Sequence, residues 1–384
     1  MKPKRRALTA KSGMGGRTSR TPTVRRIKPA IASALPKAAA PSVVPAQAPF
    51  TAAPSPGAVD ALGGRPVSLE VDLGRGLVLE NPMIVASGPF GYGVEVVDAV
   101  DLGRLGAIVT RSTTLKPRAG HPAPRMADVP AGVLLGMGLQ NPGIDLVIER
   151  YAPTWATWPV PVIVSLAGES ASDIADTVRR LDGVPGVSGI ELNLSAPNGS
   201  RGGSAFGMDA EGAASFVRAV RRATDLPLIA KLTASAADVR AVARAVEDEG
   251  ADAIAAINTL PGLALAPDRT GPALGSGYGG LSGPALRPIA LRVVFEVAQV
   301  VDIPVIGIGG ITTIEDVLDL LAAGATAVGV GIAALADPML PVRLADELAD
   351  ACRALGLSSF DGFVGTALPK RPSPPSSRGA EYAR

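Results

Sequence analysis

The sequence predicts an α/β protein that forms a (β/α)8 TIM barrel with long loops at the C-terminal face. Eight short apolar runs recur between residues 83 and 331, each run ends in small or polar residues, and a helical pattern follows each run. Runs built continuously from Val, Ile, Ala and Leu are typical of parallel strands covered on both faces. A doubly wound sheet would also alternate strands and helices, but the count of eight favours a barrel, whose usual length is about 250 residues.

The predicted strands cover the eight apolar runs in chain order: residues 83–87, 107–111, 160–166, 190–195, 228–232, 253–258, 305–309 and 327–331. Between them, three segments show clear 3.6-residue periodicity and are predicted to be helices: residues 172–181, 235–249 and 312–323. Ser235 and Thr312 are the predicted N-caps of the last two, because an acidic residue follows each of them three positions later.

The two ends of the chain differ from the barrel region in composition. Of the 37 Lys and Arg residues, 11 lie in residues 1–59, which contain no Asp or Glu. We interpret residues 1–66 as a disordered basic extension rich in Ala, Pro and Arg, residues 67–356 as the barrel, and residues 357–384 as a mostly disordered tail. The extension has the composition of an organelle transit peptide, but the favoured interpretation is a bacterial N-terminal extension, or a mis-assigned start codon, on a cytoplasmic protein.

Composition excludes several classes of protein. One cysteine and one histidine leave no internal disulfide, no iron–sulfur cluster and no histidine cluster on this chain, so no metal site is expected. Aromatic residues make up 3% of the chain, which argues against nucleic-acid modules that stack bases. No apolar run has the length of a membrane span, so neither a membrane nor a nucleic acid is an expected partner.

Glycines at the last two strands indicate a phosphate site. The seventh strand ends in Gly307-Ile308-Gly309-Gly310 and the eighth in Gly329-Val330-Gly331. In barrels the loops after these strands commonly bind phosphate through backbone N–H groups, which glycine leaves accessible. Residues 280–284 offer a third set of backbone amides. Two long connections, residues 112–158 and 259–285, also follow strand ends, and long loops in compact domains are usually functional.

The fourth strand runs into a glycine-rich loop over residues 189–203. Asn193 and Asn198 lie at or just beyond the strand end, where parallel α/β folds bind ligands. Taken alone, the amides could equally satisfy loop backbone groups.

Together with other motifs, this stretch resembles the dihydroorotate dehydrogenases of class 1, and most of all the catalytic chain of class 1B. The similarity extends from about residue 68 to 350. It rests on an ordered series of motifs: Asn-Pro at 81–82, Ala-Ser-Gly at 86–88, Thr-Thr-Leu-Lys-Pro-Arg at 113–118, Gly-Leu-Gln-Asn-Pro-Gly at 138–143, Asn-Leu-Ser-Ala-Pro-Asn at 193–198, Lys-Leu at 231–232, Ile-Asn-Thr at 257–259, Gly-Leu-Ser-Gly-Pro at 280–284, Gly-Ile-Gly-Gly at 307–310 and Ala-Asp-Pro at 336–338.

This resemblance implies an FMN-dependent oxidation of dihydroorotate to orotate in pyrimidine biosynthesis, with hydride transfer between the substrate and flavin N5. It implies a homodimeric core and an electron-transfer subunit that carries FAD and an iron–sulfur cluster. The positions that would contact FMN are Ser87, Arg111, Ser165, Asn193, Lys231, Ile257, Gly283, Gly309, Gly310, Gly331 and Ile332. The positions that would contact the substrate are Arg111, Leu135, Asn193, Asn198, Asn258 and Thr259.

Five positions depart from the family pattern. The expected lysine is Arg111, the expected substrate-binding asparagine is Leu135, the expected flavin-contacting asparagine is Ser165, the catalytic cysteine position is Ala196, and the last phosphate-site threonine is Ile332. A positioned base contributes roughly 10²–10⁴-fold to a rate, and a methyl group cannot supply it. Two alternatives therefore stay open: an FMN oxidoreductase that acts on another planar substrate, and a non-catalytic flavin- or phosphate-binding protein.

Overall fold

The computed structural model describes residues 66–195 and 205–369. Eight parallel strands close into a barrel: Met83–Val85 (β1), Ala107–Val109 (β2), Val162–Leu166 (β3), Gly189–Asn193 (β4), Leu228–Lys231 (β5), Ala253–Ala256 (β6), Val305–Ile308 (β7) and Ala327–Val330 (β8). The predicted barrel is confirmed, and each strand overlaps its predicted segment. Strands that are consecutive in the chain are neighbours in the barrel, and pairing of Val328 with Met83 joins the last strand to the first.

Nine α-helices occur in the described residues: Ile144–Arg150 (α1), Ala152–Trp155 (α2), Ala171–Leu181 (α3), Ala210–Arg221 (α4), Val239–Asp248 (α5), Arg287–Ala298 (α6), Ile314–Ala322 (α7), Ile332–Ala336 (α8) and Leu340–Ala354 (α9). Short 3-10 helices lie at Leu102–Arg104, Phe206–Met208, Pro284–Leu286 and Phe360–Gly362. Between β1 and β2, a 3-10 helix takes the place of an α-helix. None of the helices in the described ranges has the length and apolar character needed to cross a lipid bilayer.

The N-caps predicted for two helices are wrong. Helix α5 begins after Asp238, whose carboxylate accepts hydrogen bonds from the backbone N–H groups of Arg240 and Ala241. Helix α7 is capped by Thr313, and the carboxylate of Asp316 accepts from the backbone N–H groups of Thr312 and Thr313. Both helices therefore start later than predicted. At α5 the Asp238 carboxylate satisfies N–H groups of the first turn, and at α7 Thr313 and Asp316 form a reciprocal capping box.

The two long connections meet in one antiparallel sheet. Strands Met126–Val129 and Gly132–Leu135 come from the loop after β2, and strands Leu260–Gly262 and Gly279–Ser282 come from the loop after β6. The loops are joined where Gly280 pairs with Leu135 and Ser282 pairs with Val133. We call these four strands the mouth sheet, because both loops leave the barrel at the C-terminal ends of its strands.

A short hairpin covers the opposite end of the barrel. Strands Val71–Asp72 and Val78–Leu79 pair, and Leu73, Leu77 and Leu79 are buried. Asp252, directly before β6, accepts hydrogen bonds from the side chains of Arg75 and Arg221. This end is therefore closed, and ligand access is left to the mouth.

Packed structure continues beyond the predicted domain boundary at residue 356. Phe360 is fully buried, and the backbone N–H of Ser68 donates to the carbonyl of Ser358. The segment that follows α9 is therefore part of the barrel domain as far as residue 369.

Candidate active site at the mouth of the barrel

Most of the predicted site residues lie on one rim of the barrel. Asn193 and Lys231 are the last residues of β4 and β5, and Ile257 with Asn258 directly follows β6. Gly309 and Gly331 follow β7 and β8, which are adjacent and parallel, with Ile308 opposite Gly329. Since all eight strands run in the same direction, these residues share the C-terminal face of the barrel.

A buried ion pair lies beneath this rim. Lys231 is 4% exposed and Glu191 is 1% exposed, and the Lys231 Nζ lies 3.4 Å from the Glu191 carboxylate. Their strands pair directly, with Glu191 opposite Ile229 and Asn193 opposite Lys231. Strand alternation places Glu191 and Asn193 on the same side of β4, inside the barrel.

A chain of hydrogen bonds leads from this ion pair to the mouth. Ser165 Oγ donates to Glu191 Oε1 at 3.0 Å, and it lies 2.9 Å from Ser112 Oγ. Because the carboxylate uses the only proton of Ser165, Ser112 is the donor in the serine–serine bond. Asn193 Nδ2 in turn donates to Ser112 Oγ at 3.1 Å. The hydrogen bonds therefore run in one direction, from Asn193 through Ser112 and Ser165 to the Glu191 carboxylate, which only accepts.

The chain ends in two amides at the mouth. Asn258 Nδ2 donates to Asn193 Oδ1 at 3.2 Å, and the backbone N–H of Ser195 donates to the same oxygen at 3.0 Å. Asn258 Oδ1 accepts from the backbone N–H of Thr259 at 2.7 Å. These contacts saturate Asn193 Oδ1 but leave one N–H on each amide and one lone pair on Asn258 Oδ1. This pattern can bind a ring edge that carries both a carbonyl and an N–H.

The glycine turns differ in how much space surrounds them. Gly309 has φ +139° and Gly310 has φ +77°, and a Cβ added at either position would lie 2.6–2.7 Å from α6 atoms. A Cβ added at Gly331 would meet no atom within 4 Å, so its backbone borders open space at the rim. Ile332 is the first residue of α8, so its backbone N–H has no partner within that helix and lies at the same turn. Gly283 has φ +101° and lies at the end of the mouth sheet.

Two further predicted contacts lie at the same rim. Ser87 is half-buried and lies two residues after β1, beside β8. Ile257 is buried, and its backbone N–H already donates to the carbonyl of Ile308. Only the side chain and the carbonyl of Ile257 are therefore available to a ligand.

Leu135 shares a face of the mouth sheet with Thr259. Leu135 pairs with Gly280, and a Cβ added to that glycine would lie 2.2 Å from Thr259 Oγ1. Cross-strand partners in antiparallel sheets point to the same face. An apolar side chain therefore lies on the face that carries the predicted substrate-binding threonine.

Arg111 directly precedes Ser112, in the segment where the regular pairing of β2 has ended. Val109 lies opposite Ile163 and Thr113 lies opposite Leu166, so this segment holds one residue more than β3, and strand alternation does not fix the side to which Arg111 points. Thr113 Oγ1 lies 3.1 Å from the hydroxyl of Tyr92, and Arg111 lines a pocket with Tyr92. Burial raises the pKa of Tyr92 to about 12, although the Thr113 hydrogen bond and the nearby charge of Arg111 oppose the shift.

Two predicted site residues cannot be placed, and two residues of the site are not indicated by the sequence motifs. Ala196 and Asn198 lie outside the described residues. The motifs indicate no role for Glu191 or Ser112. Strand periodicity could have identified Glu191, because it precedes Asn193 by two positions and therefore lies on the same face of β4. The position of Ser112 beside them depends on pairing between distant strands, which no local pattern shows.

Comparison with known proteins agrees with the family resemblance predicted from the motifs. Residues 69–352 match the family model for dihydroorotate dehydrogenase. The catalytic subunit of dihydroorotate dehydrogenase B (NAD(+)) from Porphyromonas gingivalis is 45% identical over 300 residues, which cover 78% of this chain and 98% of that protein. The protein of the same description from Desulforudis audaxviator is 46% identical over 292 residues, covering 76% of this chain and 95% of its own.

Proposed function

Because the chain belongs to the dihydroorotate dehydrogenase family, we propose that it is an FMN-dependent oxidoreductase that converts dihydroorotate to orotate in pyrimidine biosynthesis. The observation that carries this proposal is the hydrogen-bond chain from Lys231 and Glu191 to the amides of Asn193 and Asn258. This chain connects the buried ammonium group of Lys231 to the two amides, which can bind a ligand at the same rim of the barrel.

The residues present at the rim fit FMN. Open space at Gly331 and the backbone N–H groups of the adjoining turns suit a phosphate group. Lys231 suits the pyrimidine edge of the flavin. Further contacts to FMN are proposed for Ser87, Arg111, Ser165, Asn193, Ile257, Gly283, Gly309, Gly310 and Ile332. When bound, FMN supplies the hydride acceptor at N5.

Lys231 acts in this proposal as a fixed positive charge. A cation held within a barrel strand stabilises negative charge that develops on a bound partner, and it does so without reorganisation when the charge appears. Glu191 keeps the ammonium in place, since Lys231 has no other carboxylate within ion-pair distance in the part of the chain that the structure describes.

The amides position the substrate ring. Among the described residues, one N–H of Asn193, one N–H of Asn258 and one lone pair of Asn258 Oδ1 have no partner, and these three groups complement an amide edge of the pyrimidine. Thr259 adds a hydroxyl close to the same edge. We include Arg111 and Asn198 as further substrate contacts because they occupy positions that contact the substrate in the family pattern.

The group that accepts the substrate proton decides between oxidation of dihydroorotate and a reaction on another substrate. Ala196 occupies the family position of the cysteine base and has no basic group, so a proton from the substrate must go elsewhere. Leu135 also removes an amide from the substrate face of the mouth sheet. These two changes favour, as a second candidate, an FMN oxidoreductase that acts on another planar, unsaturated substrate.

We further propose an electron-transfer subunit with FAD and an iron–sulfur cluster, since the similar proteins are named as catalytic subunits of an NAD-dependent enzyme. Such a cluster is held by several cysteine ligands, and this chain has one cysteine.

We also propose a homodimer in the cytoplasm. The dimer is supported by a group of exposed apolar side chains on the mouth sheet and its connections: Met126, Leu263, Leu265 and Tyr278.

Anaerobic titration of the FMN-loaded protein with dihydroorotate tests the proposal. We expect bleaching of the flavin absorbance, with orotate as product. A protein that binds FMN but is bleached only by other unsaturated ring substrates would favour the second candidate. A protein that does not bind FMN would contradict both.

A further inference from the structure

The hydroxyl oxygen of Ser195 is buried and has no hydrogen-bond partner. It is the only buried side-chain nitrogen or oxygen of this kind in residues 66–195 and 205–369. A buried hydroxyl without a partner costs free energy, because it has lost its hydrogen bonds to water. Native proteins keep few such groups, and a ligand that supplies the missing partner is one explanation for a group that is kept.

Ser195 directly follows β4 at the mouth of the barrel. The ladder between β4 and β5 is regular up to this point: Asn193 lies opposite Lys231, and the backbone N–H of Leu194 donates to the carbonyl of Lys231 at 3.3 Å. No extra residue interrupts the alternation of side chains before Ser195. Since Glu191 and Asn193 are on the inner side of β4, alternation directs Ser195 to the inner side as well, one step closer to the opening.

A hydrogen bond places Ser195 beside the amides that are assigned to the substrate. Its backbone N–H donates to Asn193 Oδ1 at 3.0 Å, and the same oxygen accepts from Asn258 Nδ2 at 3.2 Å. The hydroxyl of Ser195 takes no part in the chain of hydrogen bonds that leads from Asn193 to Glu191. It is therefore available to a ligand that the two amides hold.

We propose that the hydroxyl of Ser195 is a further substrate contact, and that it donates a hydrogen bond to a carbonyl oxygen of the bound pyrimidine ring. This inference rests on the proposed function and adds a residue to its binding edge. A hydroxyl can donate and accept, whereas a ring carbonyl only accepts, so Ser195 is the donor. Dihydroorotate and orotate carry the same two ring carbonyls, and both should use this contact.

The contact predicts opposite effects of Ser195→Ala on stability and on binding. The variant removes an unpaired polar group from the substrate-free protein, so the urea midpoint of unfolding should stay the same or rise. It also removes a donor to the ligand, so orotate should bind the FMN-loaded protein at least about fivefold more weakly. A hydroxyl that served only the fold would give the reverse, a lower midpoint with unchanged affinity.

Two measurements on the FMN-loaded full chain test the proposal: urea unfolding without orotate, and titration with orotate followed by flavin absorbance. Thr177→Val is the matched control, because Thr177 is fully buried and its Oγ1 donates to the carbonyl of Asp173 at 2.7 Å on α3, where the hydroxyl has a partner. The control should lower the urea midpoint and leave the orotate affinity unchanged. The affinity for FMN should be the same in Ser195→Ala and in the wild type.

Three results would overturn the contact and leave the proposed function intact: a lower urea midpoint in Ser195→Ala, including failure to fold, an orotate affinity within about twofold of the wild type, or a loss of FMN affinity, which would assign the hydroxyl to the flavin. Failure of the FMN-loaded wild type to bind orotate would contradict the proposed function itself, and the contact with it.

Discussion

The ammonium group of Lys231 lies 3.4 Å from Oε2 of Glu191, and both side chains are buried inside the barrel. Each charge is stable there because the other is present, since an isolated buried charge is strongly disfavoured. The pair therefore links the stability of the barrel to the electrostatics of its mouth.

Lys231→Met should destabilise the protein by roughly 3–5 kcal/mol, because it leaves the carboxylate of Glu191 buried and unpaired. Urea unfolding measures the loss. The double variant with Glu191→Gln should lose less than the sum of the two single variants. Arg353→Met, which breaks the exposed Arg353–Asp350 pair, is the control and should change stability by less than about 1 kcal/mol. Additive losses at positions 191 and 231 would contradict the coupling.

Asn258→Ala should weaken orotate binding to the FMN-loaded protein by about 1–3 kcal/mol, because it removes an amide at the mouth and leaves Asn193 Oδ1 with one donor fewer. The flavin absorbance change on titration with orotate measures the affinity. Asn81→Ala is a matched control: this buried amide donates to the carbonyl of Arg104 near the start of β1. It should reduce stability without changing orotate affinity, and equal weakening in both variants would argue against the assigned role of Asn258.

Alkaline pH should destabilise the protein through Tyr92. Burial raises the pKa of this phenol from 10.0 to about 12, so the unfolded chain releases the proton first. The stabilisation is complete below pH 10 and is lost as the pH rises to 12, up to about 2–3 kcal/mol. Free energies of unfolding measured by urea titration between pH 9 and 12 test this loss, and a precision of ~1 kcal/mol is sufficient to detect it. Tyr92→Phe should flatten that part of the profile, whereas Tyr278→Phe, at an exposed tyrosine, should leave it unchanged.

Ala196→Cys should increase the rate of flavin reduction by dihydroorotate, by up to roughly 10²–10⁴-fold, because it restores a side chain that can accept the proton. Anaerobic stopped-flow absorbance measures the rate. Ala196→Val adds bulk without a base and should give no increase. An unchanged rate in the cysteine variant would mean that Leu135 or Arg111 limits the reaction instead.

The barrel could be predicted from the sequence because each strand is a local apolar run that ends at a glycine or polar residue. Lys231 and Asn258 could be placed at the rim for the same reason, since each ends or directly follows such a run. Helix starts were less predictable. Ser235 and Asp238 are both suitable caps, and the choice depends on which one the tertiary structure leaves at the helix end.

Other features of the site depend on contacts between distant parts of the chain. The Ser112–Ser165 hydrogen bond joins β3 to the segment after β2, and Leu135 meets Gly280 across almost 150 residues of sequence. Local periodicity carries no information about such pairings, which is why the position of Ser112 and the joining of the two loops could not be predicted.

The mouth sheet has a consequence for protein engineering. Its central pairing, between Gly132–Leu135 and Gly279–Ser282, makes the two loops a single mechanical unit. A chimera that takes only one of them from a relative would carry mismatched strand edges over the opening. Transplanting substrate preference between members of the family should therefore require both segments to be exchanged together.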